Sequence, residues 1–388
     1  MRYQRPVRIG VLAAAIVTGS VGFARLGAQE PGAALRTPWG EPDLQGIWSG
    51  ETLTPIQRPA RFADKPVLSK DEEAAIVADI NKRPGRDGRA ERGTEKDIAG
   101  AYNQVYSLRS IVELSDGRTA LIIDPPDGRV PPMTAEAKRL QAEGRAYAAA
   151  LDKGTRRNPG PFSPLRDQPT PRYNSGDRLN RADGPEDRGL GERCLSGNLP
   201  NLGAVYRVVQ SPGQVAIYHD SGQGQGFSRV ISVNGSKHFP PGLQFWRGDA
   251  RGHWEGDTLV VDITNFTRKT DYMGSREHLH LVERFKRAGP DRLEYTLTVE
   301  DPTTWTRLWT LMVPWKHQSE KANQVYESTC HEGNYGMIGM LSGIRTAEKR
   351  FKVGKGPDPR TMDLSIFSGD LEAGTGCTGG GIERIGIK

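Results

Sequence analysis

In a β-strand, residues two apart share a face, so an ionisable residue among alternating hydrophobes points into the core. Four segments of this 388-residue sequence show that pattern. Leu279, Leu281, Glu283 and Phe285 place a carboxylate on an apolar face. Trp305, Arg307, Trp309, Leu311, Val313 and Trp315 place a guanidinium there, and Phe227, Arg229, Ile231 and Val233 place another. Val215, Ile217 and His219 add an imidazole. The segment 292–300 alternates without exception, with Leu293, Tyr295, Leu297 and Val299 on one face.

A buried charge is costly unless it is paired. Four such ionisable groups therefore predict one of two interior arrangements, unless the face meets solvent at a barrel mouth. One is a polar pocket inside a β-barrel. The other is a structural Glu283–Arg307 ion pair that sets strand register, with His219 a satisfied core histidine. In the pocket reading, Glu283 (its pKa raised by desolvation) and His219 are the candidate catalytic proton carriers. Arg229 and Arg307 would hold a carboxylate or stabilise an oxyanion or enolate. That chemistry suits a lyase, isomerase, hydratase or hydrolase, and the spacing does not choose among them.

Other residues carry weaker signals. Trp305 and Trp309, with Trp246, Trp254 and Trp315, either stack on a ligand or fill the barrel. His278 and His280 alternate onto the polar face of their strand, where His219, His238 or His331 could join them around a metal. The sequence has no HExxH and no compact His/Asp cluster, so neither a resident metal nor a cofactor is expected. No GxSxG or P-loop occurs. Gly222-Gln223-Gly224-Gln225-Gly226 joins two strands and reads as a hairpin loop.

The elements that position these residues follow from periodicity and turn signals. Ser69 followed by Asp71, Glu72 and Glu73 predicts a helix to about residue 82, and Thr134-Ala135-Glu136 starts a second that reaches about Leu151. Strands are predicted near 43–48, 106–113, 119–123, 204–210, 214–220, 227–233, 258–266, 278–287, 292–300, 304–315 and 323–329. Pro212-Gly213, Asn234-Gly235, Pro290-Asp291 and Asp301-Pro302 supply turns. With 47 glycines and 27 prolines the chain is unsuited to a helical bundle. The expected fold is mainly β: an antiparallel, lipocalin-like barrel, or a sandwich, with two or three flanking helices. Short hairpins leave no room for the crossover helices of a parallel sheet.

The chain divides into a signal peptide (1–28), strands and helices of the main fold (29–153), an irregular Pro/Gly/Arg-rich loop (154–200), the barrel core with a closing helix (201–352) and a Gly-rich tail (353–388). Arg2, Arg5 and Arg8 precede the apolar run from Val11 to Val17, which is signal-peptide length and short for a membrane span. The expected location is periplasmic or secreted, with no stable membrane span after processing. Residues 1–28 hold four arginines and no acid, so without them the formal charge falls from +6 to +2. That balance gives no reason to expect a nucleic-acid partner. An oxidising compartment permits disulfides. Of Cys194, Cys330 and Cys377, the expected pair is Cys194–Cys330, because both lie in the patterned part of the chain.

Several stretches resemble a family of secreted bacterial proteins without an established activity. They are Asp43-Leu44-Gln45-Gly46-Ile47-Trp48, Arg193-Cys194-Leu195, Trp254-Glu255-Gly256-Asp257-Thr258-Leu259-Val260-Val261 and His280-Leu281-Val282-Glu283-Arg284-Phe285. Asp301-Pro302-Thr303-Thr304-Trp305-Thr306 and Cys330-His331-Glu332-Gly333-Asn334-Tyr335 complete the series, which covers about residues 36–350. The resemblance implies export and a shared fold, and transfers no chemistry. The family's usual His-Glu and His-Asp pairs before the arginine are reduced here to His219-Asp220 ahead of Arg229.

Together these features predict an exported barrel that binds, and in one reading transforms, a small organic molecule with an anionic or polar group. Glu283 and His219 would act on it, with Arg229, Arg307, Trp305, Trp309 and His331 around it. A non-catalytic periplasmic binder and an envelope interaction protein are the alternatives.

Overall fold

The computed structural model describes residues 35–81, 116–155, 158–168, 179–188, 193, 195, 199–202, 205–220, 226–322, 325 and 335–362. The expected signal peptide, the strand at 106–113, all of the strand at 323–329 except Val325, His331, all three cysteines and the tail beyond 362 lie outside these residues. The described residues form a single β-barrel with helices around it.

The strands are β1 (Gly46–Ser49), β2 (Ile122–Asp124), β3 (Val205–Ser211), β4 (Gln214–Asp220), β5 (Phe227–Ser232), β6 (Asp249–Glu255), β7 (Thr258–Thr264), β8 (His280–Gly289), β9 (Arg292–Glu300) and β10 (Trp309–Gln318). They follow one another around the sheet in the order β1-β3-β4-β5-β6-β7-β8-β9-β10, and β1 pairs with β10 to close it. Closure removes the exposed edges of an open sheet. The seam is shared: β1 covers residues 316–318 of β10, and β2 covers Thr310 and Leu311 on the same edge. Pro314 falls between the two pairings, where its missing N–H breaks no ladder bond on that edge.

One pairing departs from the expected antiparallel arrangement. Strand β5 meets β6 in parallel through Ser232 and Arg251. The chain makes this crossover through residues 233–248 without a helix, folding the segment along the wall. His238 and the Phe239 N–H hold it there by bonding to the Asp249 carboxylate at 3.0 and 2.8 Å. Strand β6 itself was not anticipated, because Asp-Ala-Arg-Gly-His-Trp-Glu has almost no hydrophobic alternation to reveal it.

The helices form where the caps predict. Helix α1 (Lys70–Asn81) begins with a reciprocal capping box. Ser69 Oγ accepts from the Glu72 N–H, and the Glu72 carboxylate accepts from the Ser69 N–H. In α2 (Ala135–Leu151), Thr134 Oγ1 accepts from the Ala137 N–H. The last turn of α3 (Tyr335–Lys352) carries Lys349, Arg350 and Lys352, which suit the negative end of the helix dipole.

The barrel interior is one continuous hydrophobic core. Trp48, Trp305, Trp309 and Trp315 are its largest fully buried side chains. Strands β6 and β7 meet in a tight hairpin at Gly256, whose φ of +59° favours glycine. The Asp301-Pro302-Thr303-Thr304 motif builds a turn after β9. Asp301 Oδ1 accepts from the Thr303 and Thr304 N–H groups, and Oδ2 accepts from the hydroxyls of Thr304 and Ser275.

Candidate functional site

The alternation places three of the four ionisable groups correctly. His219, Arg229 and Glu283 are all buried in the barrel. The cross-strand row Trp48, Tyr206, His219 and Phe227, on β1, β3, β4 and β5, brings aromatic rings next to the imidazole. His219 stacks on Phe227 with ring centroids 4.4 Å apart and planes 8° off parallel, and meets the edge of Tyr206 at 5.1 Å.

Glu283 is partnered by Arg229, not by Arg307. Arg229 Nη2 lies 2.6 Å from Glu283 Oε2, off the line of a hydrogen bond, so the contact is an ion pair. Strands β5 and β8 are separated by β6 and β7 in the sheet, so this pair crosses the lumen. Tyr295 Oη donates to Glu283 Oε1 at 2.8 Å, and Arg229 Nε donates to His219 Nε2 at 3.2 Å.

The contacts continue until they close. Tyr295 stacks on Trp315 at 5.0 Å, and Trp315 stacks on Tyr206 at 3.9 Å and 7°. Tyr206 returns to His219. His219, Arg229, Glu283, Tyr295, Trp315 and Tyr206 thus form a circuit of side chains inside the barrel. Sequence reasoning had counted Tyr295 as an ordinary apolar-face residue. Its parity was correct, and its hydroxyl was the missed signal. Tyr206 and Arg247 were also missed, the latter because it sits in the crossover. The Arg247 guanidinium lies 4.3 Å from the centre of the Phe227 ring.

Arg307 is half-exposed, and its Nη2 donates to both carboxylate oxygens of Asp124 at 2.8 and 2.9 Å. The physical reason is where the strand begins. The chain is still turning after Asp301 at residues 305–308, and β10 starts at Trp309. Trp305 and Trp309 both reach the core and meet edge-on at 5.7 Å, while Arg307 between them faces outward. The expected Glu283–Arg307 pair is therefore absent. Trp305, Trp309 and Trp315 fill the barrel, as the packing alternative held.

Several buried polar atoms here lack a hydrogen-bond partner: His219 Nδ1, Arg229 Nη1, the indole nitrogens of Trp305, Trp309 and Trp315, and the Tyr272 hydroxyl. Tyr272 stacks near Trp309, and burial pushes its phenol well up. Burial, followed by the charges of Arg229 and Arg247, holds His219 well below its ordinary value, so the imidazole is neutral. Burial and then the Glu283 charge push Tyr295 well above the ordinary phenol value, so its hydroxyl keeps its proton.

The other histidines are elsewhere. His280 bridges Asp262 and Glu300 at 2.9 Å each, and His238 bridges Asp249 and Asp262. His278 and His280 help line a cleft of about 330 Å³. Among the described residues no group of three or more His, Cys, Asp or Glu is arranged to hold a metal ion. A second cleft, of about 480 Å³, lies between α3 and the segment 166–183. Neither cleft is lined by His219, Arg229 or Glu283. No described helix is long and apolar enough to cross a membrane.

No protein-family model matches this chain. No curated protein is significantly similar to it.

Proposed function

We propose that this is an exported barrel protein that takes a small organic molecule into its interior and holds a polar or anionic group of it against His219 and Arg229. One observation carries the reading: two buried nitrogens, Nδ1 of His219 and Nη1 of the Arg229 that touches it, have no partner beside an ion pair that crosses the lumen. Buried polar atoms in native proteins are nearly always satisfied. Leaving one unpaired costs roughly 1–3 kcal/mol, and more for a charged group. A ligand oxygen supplies the missing partner and recovers that cost.

Acid–base work on the ligand falls to Glu283, whose Oε2 makes no aligned hydrogen bond. The basic start, the apolar run and the series of motifs from Asp43 to Tyr335 support export and membership of the secreted family they resemble. Export in turn supports a Cys194–Cys330 bridge.

Native mass spectrometry on the exported, purified protein tests this. The expected result is a mass excess that is lost on denaturation. The double variant Arg229→Met/Glu283→Gln, which leaves no uncompensated charge buried, should lose that excess. A bare mass for the wild type would overturn the tight-binding reading. A separate gain of two hydrogens on reduction reports the disulfide.

A further inference from the structure

Hydrogen-bond bookkeeping around His219 restricts what the interior can hold. The Arg229 Nε–H has no acceptor character, so in its 3.2 Å contact with His219 the imidazole Nε2 must be the acceptor. A neutral imidazole carries one proton, and it then resides on Nδ1. Nδ1 is buried and unpartnered, in a residue only 2% exposed. The free position of His219 is therefore a donor.

The other orphaned atoms of the interior point the same way. Arg229 Nη1 is a donor, and so are the indole nitrogens of Trp305, Trp309 and Trp315. The Tyr272 hydroxyl is able to donate. Among these orphaned atoms of the described residues, the two that can accept are the Tyr272 hydroxyl and Glu283 Oε2, and the latter already lies 2.6 Å from Arg229 Nη2. An incoming amine or ammonium would strand its own protons against the His219 Nδ1–H. An oxygen with lone pairs and no proton would satisfy that donor.

We infer that the interior selects a carbonyl-type oxygen, that of a carboxylate or of a neutral carbonyl group, received by the His219 Nδ1–H. This deepens the interior-binding reading above and rests on it. It also changes the role of His219. The imidazole enters as a hydrogen-bond donor that polarises the oxygen, not as a base, because its lone pair is already committed to Arg229. Any proton abstraction is left to Glu283.

The test uses histidine-selective ¹⁵N labelling of the full chain, with the His219 ring assigned by the signal lost in His219→Phe. The tautomer is read first, in the protein alone. The expected state is neutral with the proton on Nδ1. A proton on Nε2, or an imidazolium at neutral pH, overturns the inference. Three probes of nearly equal size follow: acetate, acetamide and ethylammonium. Acetate and acetamide should move the Nδ1–H resonance in a saturable way, and ethylammonium should leave it in place. A larger response to acetate than to acetamide assigns the anionic source of the oxygen, and equal responses assign the neutral one. A saturable response to ethylammonium alone overturns the inference while leaving the interior a binding site. No response to any probe, with a retained ligand in the native mass, likewise overturns the carbonyl-oxygen assignment alone. No response together with a bare native mass overturns both readings.

Discussion

Arg229 and Glu283 show what a single inward pair can do at the scale of the residue. The pair spans the lumen, and each partner has a further contact that ties it to the aromatic circuit. Removing the cation alone leaves a buried carboxylate with only the Tyr295 hydroxyl. Arg229→Met should therefore cost about 3–5 kcal/mol of stability. The double variant Arg229→Met/Glu283→Leu, which removes both charges and restores apolar volume, should recover most of that loss. Urea unfolding of the wild type and both variants measures it; a double variant as unstable as the single one would show that the pair itself is a net stabiliser. Alternation revealed both residues in the sequence because a period of two identifies a face without any knowledge of neighbours. It misassigned the partner because it cannot say where a strand begins. Trp305, Arg307 and Trp309 share a parity, yet the turn built on Asp301 sends the guanidinium outward. Register, which decides that Arg229 faces Glu283 across two intervening strands, is not written in either segment.

At the scale of the element, His280 binds three strands together on the barrel wall. It sits on β8 and bonds to Asp262 on β7 and Glu300 on β9. The hydrogen bond to Asp262, then that to Glu300, raises its pKa to about 9 against the opposing effect of burial. The folded value lies above the unfolded one of about 6.5. The stabilisation is thus fully present below about pH 6.5 and is lost as the pH rises through about 9. The site is half-buried, so solvent screening reduces the contribution to about 1 kcal/mol. His280→Gln should be less stable than the wild type by that amount at pH 6 and nearly equal to it at pH 10, measured as the shift in urea midpoint. A cost that stays constant with pH would mean that the imidazole acts by packing, not by charge. The sequence showed His280 alternating onto the polar face, which is correct, but suggested a metal ligand. The two carboxylates that hold it come from strands 18 residues before and 20 residues after it. Such a cluster is visible only once the strands are paired.

At the scale of the whole molecule, the barrel depends on a short seam. Strand β1 has four residues and joins β3 to β10. Its inward residue, Trp48, is fully buried, donates its indole N–H to the Leu44 carbonyl at 2.9 Å and lies against His317 of β10. The Arg287 guanidinium of β8 approaches the same ring at 5.2 Å. One side chain therefore connects the seam to both neighbouring parts of the wall. Hairpin signals made most of the barrel legible, since β3–β4 and β8–β9 declare their turns in sequence. Closure was not legible, because it joins residues 46–49 to residues 316–318 with no local signal between them. The parallel β5–β6 step was hidden for the same reason: its crossover is a loop whose attachment to the wall rests on His238 and Asp249. If the seam is integral to one cooperative unit, Trp48→Ala should cost about 3–5 kcal/mol, in line with loss of a buried tryptophan. Far-UV dichroism and the fluorescence of the remaining tryptophans should then shift together, because Trp305, Trp309 and Trp315 share a core with Trp48. Transitions that separate in Trp48→Ala would mean that strands β3 to β10 persist as an open sheet after β1 detaches. An open sheet would expose the edges of β3 and β10 and should associate at higher protein concentration. Coincident, concentration-independent transitions are the expected result, because the circuit from Tyr206 through Trp315 to Tyr295 bridges the seam from inside and cannot survive on one side of it.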